Sequence, residues 1–201
     1  MPVAAAAASQ PFKFASFSIV NQVFFQSSLS LGLVNLKPLV PGHVLVIPKR
    51  VVPRFRDLTP QEVTDLFAST HQIAAVLEKE YKAHALNLAI QDGVAAGQSV
   101  PHVHVHLIPR ITGDFEPTDE LYNALEDVDL AQDYLSSLAA ASRHRPTRAE
   151  RKARERDVFG VDNEDRQPRS KKDMKQEAMR LSELFPVECR GMFEEEPEER
   201  L

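Results

Sequence analysis

The chain of 201 residues has a single cysteine, Cys189, so it cannot form a disulfide within itself. Disulfides persist in oxidising compartments, and we therefore expect a reducing one. No apolar run approaches the roughly 20 residues that a helix needs to cross a bilayer, which predicts no membrane association. The N-terminus lacks the basic start of a secretion signal and the arginines of a transit peptide, so residence in the cytoplasm is expected.

The sequence also has no excess of basic residues, because it contains 24 lysines and arginines and 29 acidic residues. The formal net charge of -5 argues against a nucleic-acid partner, because proteins that bind nucleic acids neutralise the phosphates with a basic surface. With 43% hydrophobic and 26% charged residues, the composition is typical of an ordinary soluble enzyme with one core.

Hydrophobic periodicity predicts an α+β fold with a mostly antiparallel sheet and one long helix. Thr59, Pro60 and Glu62 form a capping box with proline at the first helical position, which starts a helix expected at about 60–82. Alternating apolar residues and turn signals predict the strands. The expected strands lie at 12–20, 29–35, 43–47 and 86–91, and two short helices are expected at 118–127 and 129–141.

The composition changes after Ser142. The run 143–156 is densely basic and few large apolar residues follow it, so this segment cannot bury enough surface to offset its ordering entropy. A nuclear-import signal, a docking segment for an acidic partner and a solvated linker are all open, and the interruptions at Glu150 and Glu155 favour the linker. The nucleus is therefore a second expected compartment.

A helix is predicted again at about 173–185, followed by an acidic tail. Its apolar side chains are expected to dock on the domain: Met174, Ala178, Leu181, Leu184 and Phe185. The expected parts of the chain are a disordered lead-in at 1–10, a folded domain at 11–142, a disordered charged insertion at 143–172, and the C-terminal helix with its tail at 173–201.

The most informative segment has three histidines that alternate with valines: His102, Val103, His104, Val105 and His106. Strict alternation is the period of a strand, so the histidines share one face at steps of about 6.6–6.8 Å. The unperturbed pKa of histidine lies near neutral pH, which suits these side chains to nucleophilic and acid–base chemistry.

A polar face open to solvent is one interpretation, and the rarity of alternating triplets disfavours it. A metal site is another, because histidine is a common ligand. The surroundings lack a cysteine pair and a carboxylate placed to orient the ligands, since the nearest acids, Asp92 and Asp114, flank the segment. Metal binding is therefore a weaker interpretation than phosphate handling, which is the other functional possibility.

Phosphate handling is the third interpretation and the favoured one. Gly93 and Gly97 bracket the loop before the histidines. Gln98 and Ser99 come directly after Gly97 and before the first histidine. Such a loop can gather backbone, amide and hydroxyl donors around phosphate oxygens.

The segment 102–108 resembles the histidine-triad pattern, in which each of three alternating histidines precedes an apolar residue. Its surroundings resemble the fragile-histidine-triad branch, the dinucleoside-triphosphate hydrolases, over about residues 12–140. A weaker similarity returns at 174–185. The matching segments around the histidines lie at 33–35, 37–46, 91–93, 96–98 and 113–115.

The resemblance implies a histidine-triad fold with a five-stranded sheet, and cleavage of diadenosine triphosphate and related dinucleotides to AMP and ADP. His104 would be the nucleophile through Nε2, with Nδ1 donating to a backbone carbonyl, and would carry an adenylyl group that water releases as AMP. His106 would donate to a phosphate or bridging oxygen. His102 and His43 would organise the site, and Gln91 would contact the transition state.

Further substrate contacts are implied at Asn35, Gln91, Gly97, Gln98, Ser99, Val100 and His106. Phe17 or Ser16 stands where animal members carry a histidine near the adenine, and Phe17 can stack on the base. Arg110, placed past the expected strand end, is as well suited to the rim as to a phosphate. The resemblance also implies a homodimer with a continuous sheet and no metal held by the protein, although Mg²⁺ or Mn²⁺ can accompany the substrate.

Two other functions stay open at this point. One is an adenosine-phosphoramidate hydrolase of the same superfamily, against which Gln91 and the segment 107–110 argue. The other is a signalling module whose output is the bound dinucleotide. The choice between triphosphate and tetraphosphate bridges is open as well.

Overall fold

The computed structural model describes residues 12–115, 121, 122, 125 and 168–193. Its strands are β1 (Lys13–Phe14), β2 (Phe17–Ser18), β3 (Val23–Gln26), β4 (Ser30–Val34), β5 (Val44–Pro48), β6 (Ala85–Ala89) and β7 (Val105–Arg110). Its longer helices are α1 (Pro60–Tyr81) and α2 (Lys171–Ser182), with 3₁₀ turns at Phe55–Asp57, Val94–Ala96 and Val187–Cys189.

The five-stranded sheet has the order β3-β4-β5-β7-β6, and every neighbouring pair is antiparallel. The predicted α+β fold and its mostly antiparallel sheet are therefore confirmed. Helix α1 packs against β4, β5 and β7, and α2 packs against β3 and β4. No helix in the described part of the chain is long and apolar enough to span a bilayer.

Helix α1 begins and ends as its sequence predicts. The Thr59 side chain accepts from the Glu62 N–H, and the Glu62 carboxylate accepts from the Thr59 N–H, which completes the capping box. Lys82 takes a left-handed conformation and ends the helix. Leu66, Ile73 and Leu77 are buried on its sheet-facing stripe.

The first predicted strand, 12–20, is wrong in detail, because the chain turns at Ala15 with a φ of 51° and forms the hairpin β1–β2. A further strand, β3, was not predicted. Its residues Val23, Phe24 and Phe25 are all buried and do not alternate with polar residues, so a period-two pattern is absent.

The strand that carries the histidines starts later than their alternation predicts. β7 begins at Val105, so His102 and His104 precede its ladder, where the Val103 N–H donates instead to the Val52 carbonyl at 2.7 Å. Strand β6 ends at Ala89, two residues before the expected end at Gln91. Val103 and Val105 lie in the core, as expected.

Helix α2 begins at Lys171, two residues earlier than expected, because Ser170 caps it by accepting from the Asp173 N–H. Four of the five expected docking side chains are buried: Met174, Ala178, Leu181 and Phe185. Leu184 is 43% exposed, so its predicted docking is wrong. The expected lead-in, most of the insertion, the acidic end and nearly all of the two short helices lie outside the described residues.

Candidate active site

Three of the predicted histidines converge on one buried cluster. The ring centroids of His104 and His106 are 5.0 Å apart, and those of His43 and His106 are 5.2 Å apart. His43 precedes β5 and His106 lies on β7, and the antiparallel pairing of these strands brings the two rings together. All three side chains are at most 1% exposed.

His104 is held in one tautomer by a backbone group. Its Nδ1 lies 2.7 Å from the His102 carbonyl oxygen, which can only accept, so Nδ1 carries the hydrogen and Nε2 keeps its lone pair. Burial lowers the pKa of His104 and keeps the ring neutral. The carbonyl acceptor within the histidine segment is the kind of partner that the resemblance implies.

His43 and His106 form a directed pair. The Leu39 N–H donates to His43 Nδ1 at 3.1 Å, so the hydrogen of neutral His43 sits on Nε2 and points to His106 Nδ1 at 2.9 Å. His106 Nδ1 therefore accepts and His106 Nε2 carries a hydrogen. That Nε2 atom is buried and has no partner among the described residues.

Burial lowers the pKa of His106 well below its ordinary value, with a further contribution from the neighbouring histidines. The ring stays neutral near pH 7 and offers one N–H donor to whatever enters beside His104. The cluster thus combines a lone pair on one ring with a hydrogen donor on the next, which suits attack on an electrophile that carries oxygen.

His102 has an organising position. It accepts from the Ala15 N–H at 3.0 Å and donates through Nε2 to the Pro48 carbonyl at 2.9 Å. It therefore ties the β1–β2 hairpin to the end of β5. Burial lowers the pKa of His102 to about 4, so this ring is neutral as well.

The loop between β6 and the histidines is built on its own bonds. The Gly97 and Gln98 N–H groups donate to the carbonyls of Val94 and Gly93, and contacts of these two residues with phosphate stay predictions. The Gln98 amide accepts from the Gly93 N–H at 2.8 Å and donates to the Pro53 carbonyl at 2.9 Å. Gln98 thus shapes the loop.

Gly97 is needed for the placement of Gln91. It has a φ of 85°, and a Cβ atom there would lie 2.6 Å from Nε2 of Gln91. The Gln91 amide therefore lies directly over a position where only glycine leaves room.

Of the other predicted contacts, Asn35 lies at this cluster. The Asn35 amide nitrogen is 3.3 Å from His43 Nε2, and Val100 is completely buried in the core. Ser99 is half-buried in the loop, and Phe17 is half-buried beside the core on β2. Their contacts with substrate stay predictions, and Val100 has only its backbone to offer.

The acids nearest the histidines are paired with arginines. Asp92 accepts from Arg54 Nε and Nη2 and from the Phe55 N–H, and Asp114 accepts from Arg110 Nε and Nη2. Arg110 lies within β7 and is 8% exposed, so a rim position past the strand end is wrong. In the part of the chain that the structure describes, no three histidine, cysteine or acidic side chains, including the clustered histidines, are arranged so that they could hold a metal ion.

Phe14 is a site residue that the sequence did not indicate. Its ring is fully buried, lies 5.5 Å from that of His102 and meets that of His104 edge-on at 5.4 Å. The hairpin that places it depends on the left-handed Ala15, a residue type that gives no signal for such a turn.

Comparisons with known proteins agree with this geometry. A family model of the HIT domain matches residues 16–113. A bis(5'-nucleosyl)-tetraphosphatase (asymmetrical) of Schizosaccharomyces pombe is 48% identical over 178 residues, which cover 87% of this chain and 94% of that protein. A bis(5'-adenosyl)-triphosphatase of Dictyostelium discoideum is 47% identical over 132 residues, which cover 66% of this chain and 89% of that protein.

Among solved structures, the NitFhit protein of C. elegans matches with a TM-score of 0.60 and 32% identity, over 90% of this chain and 31% of that one. A Plasmodium falciparum diadenosine triphosphate hydrolase matches with a TM-score of 0.59 and 23% identity, over 89% of this chain and 86% of that one. The second likeness shows the fold alone. Taken with the full-length relatives and the arrangement of the histidines, these matches mean that the chain belongs to the histidine triad family, in its fragile-histidine-triad branch.

Proposed function

We propose that this protein hydrolyses diadenosine triphosphate and related dinucleoside polyphosphates to AMP and the remaining nucleotide, through an adenylyl group carried on His104. The observation that carries the proposal is the bond of His104 Nδ1 to the His102 carbonyl, which leaves a lone pair on a neutral Nε2. A neutral imidazole with one fixed hydrogen is the form that attacks phosphorus.

In the first step, His104 Nε2 forms a bond to the α-phosphorus and the bond from that phosphorus to the bridging oxygen breaks. ADP leaves with the bond's electron pair, and His106 Nε2–H donates a hydrogen bond to the oxygen on which charge develops. In the second step, water attacks the same phosphorus, the P–N bond breaks and AMP leaves. Gln91 and Ser99 are the proposed further contacts for the phosphate chain.

The names of the relatives support this substrate class. The Dictyostelium relative is named for the triphosphate and the S. pombe relative for the tetraphosphate. Both names describe two nucleosides joined through phosphates. We therefore propose the triphosphate as substrate and keep the longer bridge as a second substrate of the same site.

We further propose that a divalent cation, Mg²⁺ or Mn²⁺, enters with the phosphate chain and is not held by the protein. The two acids flanking the histidines support this, because Asp92 is engaged by Arg54 and Asp114 by Arg110. An ion bound to the phosphates would neutralise part of their charge before attack.

A homodimer joined at the edge of the sheet is also proposed. Strand β6 is an outer strand of the described sheet, and its Leu88 side chain is 55% exposed. An unpaired outer strand with an exposed leucine favours pairing with a second copy. The molar mass in solution, compared between the wild type and Leu88→Lys, tests this part of the proposal.

The function is tested by the products formed from a panel of diadenosine triphosphate, diadenosine tetraphosphate and adenosine phosphoramidate in ¹⁸O-labelled water. We expect AMP and ADP from the triphosphate, with the label in AMP alone because water attacks the adenylyl group. Label in ADP would place the attack at the β-phosphorus and contradict the His104 step. Fast cleavage of the phosphoramidate alone would replace the proposed substrate class.

A further inference from the structure

The loop at 35–43, between β4 and β5, decides which way the bond between His43 and His106 runs. The Leu39 N–H donates to His43 Nδ1 at 3.1 Å and so fixes the hydrogen of His43 on Nε2. The same loop is braced at its start, where the Lys37 N–H donates to Asn35 Oδ1 at 3.2 Å. A change in the shape of this loop would break the bond from Leu39, and the hydrogen of His43 could then lie on either ring nitrogen.

Arg169 binds the start of this loop from a distant part of the chain. Its Nε and Nη2 atoms donate to the Asn35 carbonyl at 3.1 and 2.6 Å. Its backbone N–H donates to the next carbonyl, that of Leu36, at 3.0 Å. The arginine thus holds the point at which the chain leaves β4 towards His43.

Glu177 of α2 connects this arginine with the other end of the loop. Its carboxylate accepts from Arg169 Nη1 and, at 2.9 Å, from the Tyr81 hydroxyl. The Tyr81 ring lies against Gly42, where a Cβ atom would come within 2.6 Å of the ring carbons. Burial, and then the neighbouring Glu177 carboxylate, raise the pKa of Tyr81, so its hydroxyl stays a donor.

We propose that Arg169 and Glu177 are positioning residues for the reaction, which hold the loop at 35–43 and thereby keep the His43–His106 pair in one tautomer. The inference rests on the proposed function, in which His106 Nε2–H donates to the substrate. Both side chains are proposed to act through the loop, which Arg169 binds at Asn35 and which Glu177 reaches through Arg169 and Tyr81.

These polar contacts are separate from the docking of α2 itself. Met174, Ala178 and Leu181 are buried and join the helix to the core. The Arg169 and Glu177 side chains are 22% and 17% exposed, and each joins two partners that lie in different elements. A planar guanidinium can reach a carbonyl and a carboxylate at once, which a lysine ammonium does not reproduce in the same geometry.

The test compares Arg169→Ala, Arg169→Lys and Glu177→Gln with Arg190→Ala in the full-length protein. Arg190 is the matched control, because its guanidinium also donates to backbone carbonyls, those of Phe185 and Glu183, but does not bind the loop. The readouts are kcat and KM for diadenosine triphosphate, and the ring ¹⁵N signals of His43 and His106 in histidine-labelled protein, which report the tautomer.

For Arg169→Ala we expect kcat to fall by about tenfold or more, with KM within about twofold, because the histidine pair is disturbed while substrate contacts remain. The ¹⁵N signals should change from one tautomer to a mixture. Arg169→Lys and Glu177→Gln should show smaller changes in the same direction. Arg190→Ala should lower stability and leave both signals as in the wild type.

Histidine signals and kcat that stay as in the wild type in folded Arg169→Ala would overturn the inference. If that variant does not fold, unchanged signals in both Arg169→Lys and Glu177→Gln overturn it equally. A wild type that cleaves no dinucleotide would contradict the proposed function, whereas the ¹⁵N signals would still decide whether Arg169 positions the pair.

Discussion

At His104, a backbone carbonyl two residues from the histidine's own position in the chain decides which ring nitrogen is free for attack. The bond from Nδ1 to the His102 carbonyl requires no charged partner, so the ring can be deeply buried without an adjacent carboxylate. The neutral form is favoured by burial and the tautomer by the bond. These are separate effects, and both produce the reactive Nε2 lone pair.

Replacement of His104 is therefore expected to abolish the step through the adenylyl-histidine while the substrate can still bind. In His104→Ala we expect turnover of diadenosine triphosphate to fall by about three orders of magnitude or more, equivalent to about 4 kcal/mol in the barrier. The dissociation constant for the substrate should change by less than about tenfold, because His106, Gln91 and the loop remain. Initial rates and equilibrium binding measure the two effects.

His71→Ala is the control for loss of a histidine as such. His71 is exposed on α1 and lies outside the cluster, so its replacement should leave both the rate and the affinity as in the wild type. Near-normal hydrolysis by His104→Ala would contradict the adenylyl-histidine step.

Among the elements, the loop between β6 and β7 depends on a position without a side chain, Gly97, which leaves room for the Gln91 amide. Gly97 in this loop and Gly113 after β7 both have a positive φ, at 85° and 84°, so alanine strains the backbone at either position. A Cβ atom at Gly97 would collide with the Gln91 amide, whereas one at Gly113 would meet nothing within 4 Å. The two positions separate backbone strain from displacement of Gln91.

We expect Gly97→Ala and Gly113→Ala each to lower the free energy of unfolding by about 1–2 kcal/mol, from the left-handed backbone alone. Only Gly97→Ala should also lower kcat, by about tenfold or more, because it moves the Gln91 amide away from its proposed contact with the phosphates. Denaturant unfolding and steady-state rates test the pair. Equal rates in the two variants would show that Gln91 needs no exact placement.

The elements that the sequence predicted well are those with a local physical signal. The capping box at Thr59 and Glu62 determines the start of α1, and the alternation around His104 indicates a strand, which β7 forms from Val105 onward. The signal fails where the contact is distant. The Val52 carbonyl takes the Val103 N–H out of the sheet ladder, and no pattern near the histidines encodes that bond.

The candidate site follows the same division. The histidines were predictable from their spacing and their resemblance to a family, whereas Phe14 and Arg169 were not. Phe14 reaches the histidines through a hairpin with an unusual alanine, and Arg169 reaches the Asn35 carbonyl across 134 positions of sequence. Such contacts are decided by tertiary packing, which overrides local propensity.

For the whole molecule, the C-terminal part of the chain is not a passive extension of the domain. The composition predicts that 143–172 is one disordered polar segment. Near the end of that segment, however, Arg169 binds the Asn35 carbonyl and Ser170 caps α2. The boundary that matters therefore lies before residue 168. Two replacements, which differ only in this boundary, test the point.

In one variant, residues 143–167 are replaced by a glycine–serine linker of equal length, and in the other the replacement covers 143–172. The first should hydrolyse diadenosine triphosphate within about threefold of the wild type, under about 0.7 kcal/mol in the barrier, because every residue assigned to the site remains. The second should lose at least about tenfold in kcat, because it removes Arg169 and the cap of α2 together. Rates measured beside thermal unfolding distinguish the two effects, since restored folding at lower temperature would not restore the bonds to the loop at 35–43. A large loss in the first variant would mean that residues 143–167 act on the site themselves, whereas equal activity in both would remove the C-terminal segment from the mechanism.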